Sequence, residues 1–253
     1  MQVTDSYQGS AVLVTGAASG IGRATAKRFA AGGARLCCFD IDEAGAETTA
    51  AAIREQGGDA FSCCGDVSSE VDTKATVSAA LERFGQLDVL ANVAGIGHFR
   101  HTEEESAEEW NRILGVNLTG AFLMARDAIP ALLDTRGVIV NVASVAGLSA
   151  HPYAAAYGAS KGGVVLLTKT LALEYASRGL RVNAVCPSGV VTPILDQFTR
   201  PDEAEESLFM RIVAPNCNLI EPEEIACAIE FLASPEMPNM TGAIVVVDGG
   251  VTV

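Results

Sequence analysis

The sequence predicts an α/β fold: a doubly wound parallel sheet of Rossmann-like type, seven strands with helices on both faces, in a single domain. Three observations predict it. Short, β-branched apolar runs alternate with longer helical patterns. The runs are apolar throughout rather than on alternate residues, as in parallel strands covered on both faces. Several helical patterns end in glycine just before the next strand, where a left-handed C-cap belongs. The chain has 253 residues, 49% of them hydrophobic, enough for one sizeable core.

The expected strands are Ala11–Thr15, Arg35–Phe39, Ala60–Cys64, Leu87–Asn92, Gly137–Val142, Arg181–Cys186 and Ala243–Val247. The glycine stops are Gly32-Gly33, Gly57-Gly58, Gly85 and Gly179. The longest helical patterns run from Ser106 to about Leu133 and from Ala154 to about Ser177. The second is rich in Ala, Gly and Leu and suits close packing against another helix or another subunit. No linker, low-complexity tract or second core interrupts residues 1–253. One segment, about 193–220, lacks a clean strand and mixes charge with Leu195, Phe198, Phe209 and Met210. It reads as a substrate lid or as a solvated surface helix.

Charge and cysteine content narrow the function. Net charge is −14, from 17 basic and 31 acidic residues, with no Lys/Arg cluster, so neither nucleic acid nor an anionic membrane is expected as partner. The opening MQVTDSYQGS has neither a basic start nor an apolar run, and no uninterrupted apolar stretch reaches the ~18 residues of a membrane span. Seven cysteines show no Cys-x-x-Cys spacing; Cys37-Cys38 and Cys63-Cys64 are adjacent, and neighbours on a strand face opposite ways. They read as reduced, small core residues of a cytoplasmic protein. With only three scattered histidines, His98, His101 and His151, no metal site is expected.

After the first strand comes Thr15-Gly16-Ala17-Ala18-Ser19-Gly20-Ile21-Gly22. Gly16 suits the tight turn, Gly20 the close approach of a pyrophosphate, and Gly22 the packing of the next helix on the sheet. That helix offers free N–H groups and a positive dipole end to phosphates. Asp40 ends the second strand, with Ile41, Asp42 and Glu43 after it. A carboxylate there suits ribose hydroxyls and repels a 2′-phosphate, which predicts NAD rather than NADP; a helix N-cap is the alternative. Asp66 and Val67 follow the third strand, where an adenine would lie, and an N-cap again competes. Asn92-Val93-Ala94-Gly95 ends the fourth strand with small side chains that leave room for a cofactor.

Tyr157 and Lys161 stand four residues apart, on one face of a helix. A free phenol has a pKa of roughly 10, too high for a base at pH 7. Bringing it near neutrality takes on the order of 4 kcal/mol, about what one positive charge at about 4 Å supplies at an effective dielectric near 20. Such a pair can move a proton on and off an alcohol oxygen.

Together these residues resemble the short-chain dehydrogenase/reductase family, from Val12 to the closing Val247-Asp248-Gly249-Gly250. Thr15-Gly-x-x-x-Gly-Ile-Gly22 looks like its nucleotide loop, including Ser19 and Ile21. Asn117, Ser144, Tyr157 and Lys161 match its catalytic set in order. The resemblance implies that Tyr157 is the general acid/base and that Lys161 binds nicotinamide-ribose hydroxyls and lowers the phenol's pKa. Ser144 would orient the substrate oxygen, and Asn117 would hold a water of a proton relay. Pro187, Val190 and Thr192 look like contacts to the nicotinamide end. Two departures stand out: Val93 replaces a second asparagine, and Pro187-Ser188 replaces Pro-Gly, with glycine displaced to Gly189.

The implied activity is hydride transfer between NAD(H) and a secondary alcohol or ketone. The expected pocket comprises Ser144, Val145, His151, Tyr153, Ser188, the 95–99 loop and the lid, with His98 and His151 as polar points. That wall suggests a hydrophobic, cyclic or steroid-like skeleton. Reduction of a 3-oxoacyl thioester on an acyl carrier protein is the alternative, disfavoured by the negative charge and by Asp40. A non-catalytic dinucleotide sensor is the rival from another class. The resemblance also implies a homotetramer built on the two long helices and the C-terminal strand.

Overall fold

A computed structural model describes residues 6–213 and 218–253. Seven parallel strands form one sheet in the order β3-β2-β1-β4-β5-β6-β7. They are β1 Ala11–Thr15, β2 Arg35–Asp40, β3 Ala60–Cys64, β4 Val89–Asn92, β5 Val138–Val142, β6 Arg181–Pro187 and β7 Ile244–Val247. All seven fall within two residues of the expected boundaries. The helices are α1 Gly20–Ala31, α2 Glu43–Glu55, α3 Glu70–Phe84, α4 Ala107–Leu114, α5 Gly120–Thr135, α6 Ala155–Tyr175, α7 Glu206–Phe209 and α8 Pro222–Ala233.

Both faces of the sheet are covered, which is why the strand runs are apolar throughout. Val12, Val14, Leu36 and Val140 pack with Phe29 of α1 and Ile225 and Ile229 of α8. Leu13, Phe39, Leu90 and Ile139 face the other way, against Val77 of α3, Met124 of α5 and Leu171 of α6. Gly85 and Gly179 end their helices at φ 75° and 88°, the left-handed caps that glycine allows.

The first long helical pattern is one continuous helix in which residues 115–119 form a π-helical turn between α4 and α5. That turn carries Asn117, only 2% exposed, toward the sheet. By length and composition the 107–135 stretch is apolar enough to cross a membrane; half of that window is buried within this fold, against the core. The chain order reverses between β1 and β4, where a crevice opens at the carboxyl ends of the strands.

A buried polar ladder ties this region together. Asn92 Nδ2 donates to Asn141 Oδ1 (3.0 Å), Asn141 Nδ2 to Thr168 Oγ1 (2.9 Å), and Thr168 Oγ1 to the Val164 carbonyl (2.8 Å), joining β4, β5 and α6. Replacing Asn141 with Ala removes two buried hydrogen bonds at once, leaving the Asn92 amide only the Ala121 carbonyl and the Thr168 hydroxyl only the Val164 carbonyl. Asn141→Ala should lower the unfolding free energy by about 2–3 kcal/mol in urea titration; a loss below about 0.5 kcal/mol would show the ladder to be incidental.

Candidate active site

The crevice is a continuous cleft of about 820 Å³. Its floor is built from the ends of the strands. Thr15 Oγ1 accepts the Val93 and Ala94 N–H groups (2.9 and 3.0 Å), locking the end of β1 to the loop after β4. Gly22 packs so tightly under the glycine loop that a Cβ there would run into the Gly16 carbonyl. Ser19 is the N-cap of α1, and its side chain makes no capping bond. With Gly16, Gly20 and Ile21 it lines the cleft at the helix N-terminus, the arrangement that receives a phosphate.

Asp40 and Asp66 both line the cleft. Neither is a helix N-cap: Asp42 caps α2, accepting from Gly45 N–H (3.0 Å), and Ser69 caps α3. Asp40 accepts from Ala18 N–H (2.9 Å) and Asp42 N–H (3.0 Å), which points its carboxylate along the rim beside the glycine loop. Asp66 accepts from the N–H and hydroxyl of Ser68, both at 2.8 Å. Val67 adds an apolar wall, and Ala94, Gly95, Pro187, Val190 and Thr192 complete the inner end. Glycine loop, helix end, ribose-side carboxylate and small residues after β4 together fit a nicotinamide dinucleotide.

Ser144, Tyr157 and Lys161 meet at the centre of the cleft. Ser144 Oγ accepts from Ala146 N–H (3.1 Å) and lies 3.5 Å from the Pro187 carbonyl. Burial raises the pKa of Tyr157, opposed by a hydrogen bond with Ser144. Lys161 is 3% exposed, and burial brings its pKa down to about 8. Its ammonium donates to the Val142 carbonyl (2.8 Å) and sits 5.8 Å from the Tyr157 ring centroid. The lowering of the phenol pKa expected from spacing is therefore not expressed in this arrangement: the cation is bound to main chain, and desolvation of the phenol prevails.

Asn117 does not line the cleft. Its amide bridges both main-chain groups of Ile96 (2.8 and 2.9 Å) and donates to Ser160 Oγ (2.9 Å). A Cβ added at Gly95 would lie 3.3 Å from both Asn117 Oδ1 and Lys161 Nζ, so the two groups converge there.

Three expected contacts need correction. Asn92 lies beneath the cleft, its amide held by Asn141 and the Ala121 carbonyl. His98 turns onto Glu105 (2.8 Å) instead of facing the pocket. Tyr153 is a tether for the segment after Thr192 and does not line the cleft. It adopts φ 61°, stacks on Phe209 (5.4 Å, 12°), and its hydroxyl accepts from Glu205 N–H (3.0 Å). Val145, His151 and Ser188 do line the cleft. Burial lowers the pKa of His151, whose Nδ1 lies 3.3 Å from the Ser149 carbonyl; the Ser188 hydroxyl donates to the Asp248 carbonyl (3.3 Å).

The segment after Thr192 folds as short helical turns over the outer cleft, and its residues 214–217 fall outside the described residues. Leu195, Phe198 and Phe209 line the cleft, whereas Met210 is exposed. Phe198 meets Tyr157 edge-on at 5.1 Å and Phe99 at 4.9 Å, and Phe99 meets Phe209 at 5.2 Å. Gly97 fits between the rings of Tyr157 and Phe198, where a Cβ would come within 2.5 Å of each. Spacing gave no sign that Phe198 touches Tyr157. The Val142 carbonyl is a main-chain group that residue identity does not reveal. Tyr153→Phe removes the acceptor for Glu205 N–H and should loosen the segment by about 1 kcal/mol, read as faster limited proteolysis after Thr192; an unchanged cleavage rate would refute the tether.

A family model described as Enoyl-(Acyl carrier protein) reductase matches residues 16–252. The 3beta-hydroxysteroid dehydrogenase 1 of Eggerthella lenta is 42% identical over 254 residues, covering 98% of this chain and 95% of that protein. The 2,5-dichloro-2,5-cyclohexadiene-1,4-diol dehydrogenase of Sphingobium indicum is 40% identical over 243 residues, 96% of each. The crystal structure of 3-ketoacyl-(acyl-carrier-protein) reductase from Brucella melitensis complexed with NADH superposes with a TM-score of 0.89, at 41% identity, over 98% of this chain and 100% of that one. Likeness of this depth over nearly the full length makes the chain a member of the short-chain dehydrogenase/reductase family.

Proposed function

We propose that the protein is an NAD-preferring oxidoreductase that interconverts a secondary alcohol and its ketone on an apolar, ring-shaped skeleton. The observation that carries the reading is the cleft's division of labour. Asp40 flanks the glycine loop at one end, and Phe99, Phe198 and Phe209 wall the other beside Ser144 and Tyr157. The bound nicotinamide supplies or accepts the hydride. Tyr157 passes the proton to or from the substrate oxygen, and Ser144 hydrogen-bonds the same atom and fixes its position. Lys161 brings a buried positive charge to the same centre and binds the nicotinamide-ribose hydroxyls, and Asn117 orders the proton's route from Lys161 to solvent. A phenol raised by burial holds its proton at neutral pH, which suits it to donate in ketone reduction.

The Eggerthella and Sphingobium relatives, a steroid and a cyclohexadienediol dehydrogenase, support a cyclic substrate. The NADH in the Brucella structure supports the cofactor choice. As a 3-ketoacyl-(acyl-carrier-protein) reductase, the Brucella protein also favours the second reading, reduction of a 3-oxoacyl thioester; the chain's charge of −14 disfavours an acidic carrier. Exposed Phe122, Leu166 and Leu173 on α5 and α6 support a homotetramer, and six free cysteines among the described residues support a cytoplasmic location.

Turnover followed at about 340 nm, the absorbance of reduced nicotinamide, across steroid, cyclic and short-chain alcohols and a 3-oxoacyl thioester tests the substrate class; activity restricted to small polyols would refute it. Tyr157→Phe should bind NADH as the parent does yet lose at least about 100-fold in kcat, whereas a sensor would be unaffected. Asp40→Ala should narrow the preference for NAD over NADP by about 1–2 kcal/mol; a parent enzyme that already prefers NADP about tenfold would overturn the cofactor assignment.

A further inference from the structure

Four of the cysteines lie on the neighbouring strands β2 and β3. Cys37 and Cys63 face the same core layer, packed under α3, with Cys37 Sγ donating to Cys63 Sγ at 3.9 Å. The strands pair Phe39 with Cys63, so the two thiols are diagonal neighbours on one face. Cys37 is fully buried, and Cys63 is partly exposed. Cys38 points into the opposite core layer, and Cys64 Sγ faces the Ile41 carbonyl at 3.7 Å, so neither competes for the pair.

We propose that Cys37 and Cys63 are a modification site, a thiol pair that small-molecule disulfides oxidise to a cross-strand disulfide, and that this link weakens dinucleotide binding. The hydrogen bond from Cys37 lowers the pKa of Cys63 and raises that of Cys37, which makes Cys63, the less buried of the two residues, the nucleophile. The Cys63 thiolate attacks the small disulfide, forming a mixed disulfide and releasing one thiolate, which takes up the proton lost from Cys63. Cys37 then gives up its proton and attacks the Cys63 sulfur, expelling the second thiol. Two electrons pass from the protein dithiol to the small disulfide.

A disulfide needs its sulfurs at about 2.0 Å, so closure must draw the strands together or turn both side chains. β3 is the edge strand, paired only with β2, so it is free to yield. The strain reaches the cleft directly: Gly65, Asp66 and Val67 follow β3, Asp40 ends β2, and all four line the cleft. The coupling to binding rests on the dinucleotide reading above; the disulfide itself does not.

The full-length protein is incubated with oxidised glutathione, mapped by peptide mass spectrometry, and titrated with NADH by fluorescence. The wild type should lose two titratable thiols and show a Cys37–Cys63 link. It should bind NADH about fivefold more weakly, roughly the factor one hydrogen bond carries, with recovery in dithiothreitol. Cys63→Ser should keep the NADH affinity of the reduced protein through the same treatment, and Cys37→Ser should stop at a glutathione adduct on Cys63. Absence of the link, or a link between other cysteines, overturns the site. A Cys37–Cys63 link with unchanged NADH affinity overturns the coupling. If the reduced protein itself fails to bind NADH, the dinucleotide reading fails and the mass map alone decides the site.

Discussion

The site depends on a buried ammonium. Lys161 is 3% exposed and held by the Val142 carbonyl, and its pKa falls to about 8. An unfolded lysine titrates near ~10.4, so keeping this one charged at neutral pH costs the fold on the order of 3 kcal/mol. The folded pKa lies below the unfolded one, so the penalty is full below about pH 8 and fades as pH rises toward the unfolded value. A leucine there would relieve it. Retaining the charge next to a phenol whose pKa burial pushes upward is a trade of stability for chemistry.

Around that charge the strands and helices are tied together by buried hydrogen bonds. Helix α6, which carries Tyr157 and Lys161, is bound to β5 through Asn141 and Thr168, and β5 to β4 through Asn92. The π-helical turn shifts the register of the long helix so that Asn117 reaches both main-chain groups of Ile96 and the Ser160 hydroxyl, one residue before Lys161. Ser144 leaves the end of β5 in extended conformation, and its hydroxyl is set by Ala146 N–H. Each reacting group is thus placed by a strand end or a helix face, and few of its degrees of freedom remain to be ordered when a substrate binds.

The seven strands and their order of appearance were readable because parallel, doubly covered strands leave uniform apolar runs and glycine stops. The inner cleft was readable because glycine, a strand-end acid and a Tyr–Lys spacing each have a narrow physical use. Asn92 misled because a polar residue at a strand end also serves to tie neighbouring strands. Tyr153 misled because proximity in sequence to Tyr157 says nothing about a residue at φ 61° whose side chain turns outward to Phe209. The sign of the Tyr157 shift could not be read at all, since spacing records that a cation is near but not that a carbonyl has claimed it.

The two ends of the cleft are made of different material. The inner end consists of main-chain groups and glycines on strand termini, where a Cβ at Gly22 already collides with Gly16. The outer end consists of side chains on short turns, held together mostly by ring contacts among Phe99, Phe198, Phe209 and Tyr153. Ring contacts tolerate exchange of one apolar side chain for another far better than a glycine loop tolerates a methyl group. Proteins at about 40% identity can therefore share the glycine-loop end and differ in substrate, as the steroid, cyclohexadienediol and 3-ketoacyl relatives do. Under the proposed function, the rings beside Tyr157 would set the choice of substrate, and Phe198 is the one that meets the Tyr157 ring itself, edge-on at 5.1 Å.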